Sequence, residues 1–219
     1  TITNNGTLNV TGNVTNDATL NFNDGLLAFK GTAAQILNGT ATYNAKNVLV
    51  DNAAGVTLNS KLIADGSVTF TNGIVTAATT TAPLVFTTNA TVTGAADASH
   101  VNGYAVKEGT GAFTYPVGNG TNYQPCGVNP SANGSGIQVK YNAADAGAGT
   151  FTTSGTEPTA LTAYNQLEHW DITPLSTATG TVTMYWDAYQ NVGILSITNL
   201  KVAHKTGGVW LNEGTTATG

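Results

Sequence analysis

Arginine is absent from this chain of 219 residues, and all seven of its basic residues are lysines. Charged residues make up 9% of the sequence, against about 25% in an average soluble domain. The formal charge is −5. Without Arg forks or a basic patch, the chain lacks the usual means of holding nucleic acid, phosphate groups or an anionic membrane surface. The single cysteine, Cys126, excludes an internal disulfide framework and any multi-cysteine metal site. No stretch approaches the roughly 18 apolar residues of a membrane helix. Helix signals are sparse as well. The best Ala-rich window, "NAADAGAG" at 142–149, contains two glycines, each costing a helix about 1 kcal/mol relative to Ala.

The sequence is rich in short alternating phrases. Thr-Leu-Asn occurs at 7–9, 19–21 and 57–59. Leu8 and Val10 alternate with Thr7 and Asn9, and Val56/Leu58, Val68/Phe70 and Leu84/Phe86 repeat the pattern. Period-two alternation is the mark of half-buried strands. Asn-Gly and Asp-Gly pairs at 5–6, 24–25, 38–39, 65–66 and 72–73 supply turn chemistry between them. With 41% hydrophobic residues a substantial core is available, and solubility falls to Thr, Asn, Ser and Gly, as in many extracellular β-proteins.

Residues 1–98 therefore read as a β-solenoid-like repeat region, in which parallel strands stack on their equivalents one turn later. Uneven spacing of the repeats leaves an antiparallel meander open. The texture changes near Ser99 and His100. Longer, more aromatic strands follow, among them "GIQVKYN", "HWDITPL" and "TVTMYWDAY". "KVAHKTGGVWL" reads as a hairpin turning at Gly207-Gly208. Residues 99–219 are expected to form an antiparallel β-sandwich, with the join within about ten residues of Ser99. The fold class expected is thus all-β, a parallel solenoid followed by a sandwich. The first residues, "TITNN", lie within a strand-like phrase, and the chain reads as a piece of something longer. Both ends are expected to be completed by further β-structure, from neighbouring repeats or from identical subunits joined head to tail.

Residues 99–128, "SHVNGYAVKEGTGAFTYPVGNGTNYQPCGV", resemble a recurring segment of very large secreted surface proteins of Bacteroidetes-type bacteria. Phe113, Tyr115, Pro116, Val117, Gly118, Tyr123 and Pro125 match its pattern. Residues 169–175, 182–187 and 199–214 are similar to its later strands, and 43–75 to the repeats that precede it. The resemblance implies an adhesin-like protein, extracellular or at the cell surface, exported by the gliding-associated route. It implies no catalytic residues.

The ionisable groups give few candidates for chemistry. His100 with Asp97 has the composition of a metal site, or His100 packs and caps the join. In "LEHWDIT", strand alternation puts Glu168 and Trp170 on one face and His169 and Asp171 on the other. No Gly-x-Ser-x-Gly elbow supplies a nucleophile. Asp171 and Asp187 would be a glycosidase pair only if neighbouring strands set them about 5–10 Å apart. His204 reads as a partly buried, hydrogen-bonded histidine. Asp17, Asp24, Asp51 and Asp65 sit at corners, where a turn role is the default. A structural calcium held by scattered Asp and carbonyl oxygens stays open, and no other cofactor is indicated. Threonine rows raise an ice-binding alternative, but their spacing varies. Tyr104, Tyr115, Tyr123, Tyr164, Tyr185, Tyr189 and Trp210 are available to stack on sugars or to build the core.

Three functions remain. The first is a non-enzymatic structural or adhesive segment of a large surface or filament protein. The second is a carbohydrate-binding module that contacts surface glycans. The third is a polysaccharide-degrading enzyme using Asp171 or Asp187. Nucleic-acid binding and membrane insertion are not expected.

Overall fold

A computed structural model describes every residue except 1, 4, 19, 154–156, 158, 187–199 and 215–219. The described residues are all-β and contain no helix. The first hundred residues wind into a β-solenoid of about five turns. The first turn comprises β1 (Ile2–Thr3), β2 (Thr7–Val10) and β3 (Val14–Thr15). The second comprises β4 (Leu20–Phe29), which serves two faces, and β5 (Gln35–Asn38). The third is β6 (Tyr43–Asp51) and β7 (Val56–Leu58); the fourth is β8 (Leu62–Ala64), β9 (Ser67–Asn72) and β10 (Val75–Ala77). The fifth is β11 (Leu84–Phe86), β12 (Thr91–Thr93) and β13 (Val101–Gly103). All pairings among these strands are parallel.

The coil has three faces: a turn offers three short strands, or one short strand and one long strand that serves two faces, as β4 and β6 do. On the first face Leu20, Tyr43, Leu62, Leu84 and Ala105 stack in register and are buried. On the second, Leu8, Leu27, Val48 and Val68 form one row, and Val10, Phe29 and Val50 another. On the third, Leu37 stacks on Leu58, and Val56, Val75, Val101 and Val117 run in line. Each fully buried Val, Leu or Phe contributes about 1.5–3 kcal/mol relative to an exposed one. On the third face the outward positions between them carry Thr57, Thr76 and Asn102, whereas on the first they pass from Asn44 to Ile63, Val85 and Val106. This is why the small alternating phrase recurs: parallel stacking demands the same inward pair from every turn.

Along the first face the stacked residues are 23, 19, 22 and 21 positions apart. The variation lies in the corners, which change length without moving the inward rows. At two corners the backbone demands glycine. Gly39 and Gly73 have φ of 113° and 102°, and a Cβ on either would overlap the carbonyl oxygen of Asn16 or Asn52 in the preceding turn. Asp24-Gly25 forms no separate turn. It lies within β4, where the register with β6 shifts between Phe22 and Leu26.

The parallel ladder runs on past Ser99. β14 (Ala105–Lys107) pairs parallel with β11. β15 (Phe113–Tyr115) precedes β16 (Val117–Gly118), which pairs parallel with β13. The direction then reverses. β17 (Cys126–Asn133) pairs antiparallel with β15, and β18 (Ile137–Asn142) pairs antiparallel with β14, ending the parallel pairing on the first face. β19 (Thr150–Thr153) is followed by β20 (His169–Pro174), next to β18 in sheet order, and by β21 (Ala178–Met184), antiparallel to β17. Finally β22 (Ala203–Thr206) and β23 (Val209–Asn212) make the expected hairpin. Gly207 and Gly208 both have positive φ, at 56° and 80°, as a two-residue primed turn requires.

Two compact units emerge: Thr1–Asn142 with Trp170–Tyr185, and Ala143–His169 with Trp186–Gly219. In the first, one continuous core extends from Val10 to Tyr141, with Trp170 and Met184 packed against it. In the second, β19, β23 and β22 form a three-stranded sheet, and Tyr164 stacks on Trp210 with ring centroids 4.5 Å apart. Here β19 runs parallel to β23, a departure from purely antiparallel pairing.

Candidate functional site

Most of the ionisable residues singled out in the sequence serve the fold. His100 is fully buried. Its Nδ1 lies 3.0 Å from the Ala96 carbonyl, and its Nε2 accepts the Gly120 N–H at 3.0 Å. These partners assign the proton to Nδ1 and leave the ring neutral. Burial pushes its pKa below the ordinary histidine value, opposed by the Ala96 carbonyl and by Asp97. Asp97 does not meet His100 as a co-ligand but accepts the Tyr123 N–H at 2.8 Å. Of the two readings for His100, the structure realises packing and capping. Among the described residues, no three His, Cys, Asp or Glu side chains converge on a common point.

His169 Nδ1 lies 2.9 Å from the Ala144 carbonyl, and Asp171 accepts the Asn142 amide at 2.8 Å. Asp187 and Tyr189 lie outside the described residues, and with Asp187 the glycosidase pair. His204, expected partly buried, is exposed and paired with Glu213 at 3.2 Å. It sits on β22, at the edge of the β19–β23–β22 sheet. The corner aspartates tie adjacent turns together. Asp17 accepts the Thr40 N–H and hydroxyl, and Asp65 accepts the Thr87 hydroxyl and Lys46. The Thr87 hydroxyl and Lys46 hold the Asp65 carboxyl below its usual value. Lys30 faces Asp51 at 3.8 Å.

One lysine closes the coil. Lys107 follows Phe86 in the inward row of the first face and is buried. Its ammonium donates to the carbonyls of Thr87 and Thr88 and lies 5.4 Å from the Phe113 ring centre. Burial lowers its pKa.

The aromatic residues divide between core and surface. Tyr115 is buried, donates to the Ile137 carbonyl at 2.8 Å, and packs edge-on against Phe113. Trp210 is buried. Tyr104, Tyr123 and Tyr164 are half-buried, whereas Tyr185 is 42% exposed.

Tyr185 belongs to a surface that the sequence did not announce. β17 and β21 present Asn129, Ser131, Thr179, Thr181 and Thr183 to solvent. A β-bulge opens the ladder between Pro130 and Ala132, opposite Gly180 and Thr179. Ser131 is the extra residue, and its hydroxyl lies 2.9 Å from that of Thr179. Asn129, Pro130, Ser131, Thr179, Gly180 and Thr181 line an open depression of about 420 Å³ there. The Tyr185 hydroxyl lies 3.5 Å, and Thr183 Cβ 3.1 Å, from where a Cβ of Gly127 would stand, so the missing side chain leaves room for both. Tyr123 is raised above the ordinary phenol value by burial and then by the neighbouring Tyr185. A proline inside a strand-like run, Pro130, was the one sequence signal for this bulge.

Comparison with protein-family models, with curated proteins and with solved structures gave no match.

Proposed function

We propose that the chain is a non-enzymatic structural and adhesive segment of a large extracellular protein, at the cell surface or in a filament. The observation that carries this reading is the uninterrupted parallel ladder over a single core, from the first turn to β16. Such a coil is a stiff spacer, each turn held by its neighbours. The likeness of residues 99–128 to a segment of secreted surface proteins of Bacteroidetes-type bacteria supports it. So does a surface whose polarity comes from Thr and Asn rather than from charge. The sandwich expected over 99–219 belongs to this reading, supported by the β15–β17–β21 sheet and the β22–β23 hairpin. Its partners are neighbouring repeats or identical subunits that extend the first turn, where the inward Leu8 is 39% exposed although Leu27 beneath it is buried. A strand edge of this kind accepts a further strand.

Antibody against the folded chain should label intact cells that make the protein. Labelling that requires permeabilised cells would overturn the reading. The purified chain should release no reducing ends or unsaturated sugars from polysaccharides, and release would point to an enzyme instead.

A further inference from the structure

We propose that the solvent face of β17 and β21 binds an uncharged polysaccharide chain, laid along β21 with one sugar stacked on Tyr185 and another, further along the polymer, in the depression at the bulge. The proposal rests on the adhesive reading and names the class of its ligand.

Three features of this face carry the inference. Its groups are neutral throughout: an amide from Asn129 and hydroxyls from Ser131, Thr179, Thr181, Thr183 and Tyr185. They match a ligand made of hydroxyls, and no Asp, Glu or Lys lines the depression to select an ion. Second, alternation along β21 puts Thr179, Thr181 and Thr183 on one side of the strand. They form a line of hydroxyls about 7 Å apart, a spacing suited to a repeating polymer rather than to a single small molecule. Third, an aromatic ring stands at the end of that line. Tyr185 keeps 42% of its surface exposed, although it has the glycine floor of Gly127 beneath it. Sugars present apolar C–H faces that pack on such rings while their hydroxyls bond to neighbouring polar groups. The bulge adds the concavity that a flat sheet lacks.

The test is calorimetric titration of the whole chain with hexasaccharides of β-1,4-glucose, β-1,3-glucose, β-1,4-xylose, β-1,4-mannose and α-1,4-glucose. Saturable binding to at least one is expected. Tyr185→Ala should weaken it about tenfold, the scale of one aromatic contact. Thr181→Val keeps the shape of the strand and removes one hydroxyl; it should weaken binding about threefold. Thr57→Val, on the third face of the coil, should leave binding unchanged. The proposal fails if none of the five binds, if Tyr185→Ala and Thr181→Val bind as the parent does, or if only an acidic polymer such as polygalacturonate binds. Surface labelling of cells without glycan binding would sink this inference alone. Glycan binding by a protein that never reaches the cell surface would sink the adhesive reading alone.

Discussion

The side-chain amides of Gln35 and Asn52 meet at 2.8 Å inside the coil, both almost wholly buried. Gln35 occupies the inward row that Val56, Val75, Val101 and Val117 continue. Its Nε2 donates to the carbonyls of Val10 and Gly12, and its Oε1 accepts from Gly31 and Asn52. Asn52 also donates to the Ala33 carbonyl and accepts from Ala54. The pair stitches the first three turns together at one corner, with the buried polar groups of each satisfied.

Because neither amide is left unpaired, removing either one strands the other's bonds. Gln35→Ala should cost about 2–4 kcal/mol, combining a cavity with unsatisfied carbonyls and N–H groups. Asn52→Ala should cost about 1–3 kcal/mol. In the double variant the two losses should fall short of their sum, which urea unfolding of all four proteins would measure. Full additivity would mean that the two amides act separately.

Gly73 should not accept a side chain. Its φ of 102° and the adjacent Asn52 carbonyl make Gly73→Ala strained and crowded together, with an expected loss above about 2 kcal/mol. Gly12, which has open space about its Cα, is the control: Gly12→Ala should change stability by less than about 1 kcal/mol. Equal effects in thermal melts would contradict the register described for this corner.

His100 should make the fold sensitive to acid. Its folded pKa lies below the 6.5 of the free side chain, so near 6.5 and below the unfolded chain binds a proton that the native ring refuses. The contribution of neutral His100 is complete above 6.5 and is lost as pH falls from there toward the folded value. Asp97 opposes the shift, and Tyr123 is the aromatic neighbour, 6.2 Å away between ring centres. Calorimetry between about pH 7.5 and pH 5 should show a steeper fall in Tm for the parent than for His100→Gln. Parallel slopes would exclude His100 as the cause.

Cys126 should be chemically silent in the native protein. The thiol is buried, and burial pushes its pKa up to about 12. Thiol reagents act on the thiolate, so modification near neutral pH should be slow until denaturant is added and rapid afterwards. Prompt labelling of the native chain would show that the core around β17 opens.

The continuous core also bears on proteolysis. The row Val75–Val101–Val117 crosses Ser99 without interruption, and Gly73 N donates to the Ala98 carbonyl. Limited digestion should give no preferred cut within about ten residues of Ser99. A dominant cut there would separate what the ladder joins.

Period-two phrases such as Thr7–Val10 and Ser67–Phe70 establish by themselves that the chain is β-structure, since alternation follows from local strand geometry. They also establish which residue of each pair turns inward. The Gly207-Gly208 hairpin is equally local, because two residues with positive φ select the turn. The parallel coil was legible as a repeat of inward pairs, but its three faces were not: they depend on which turn stacks on which, and the corners vary in length. Nor could the sequence place the end of the coil. The change in texture at Ser99 marks a change in strand composition, whereas the ladder reverses only where β18 pairs antiparallel with β14, a contact between residues thirty or more positions apart. The neutral face of β17 and β21 depends in the same way on a register fixed across 56 residues, Gly127 opposite Thr183. Local alternation determines the strands and their inward sides, while long-range pairing, set by how the shared core closes, decides which of them become neighbours.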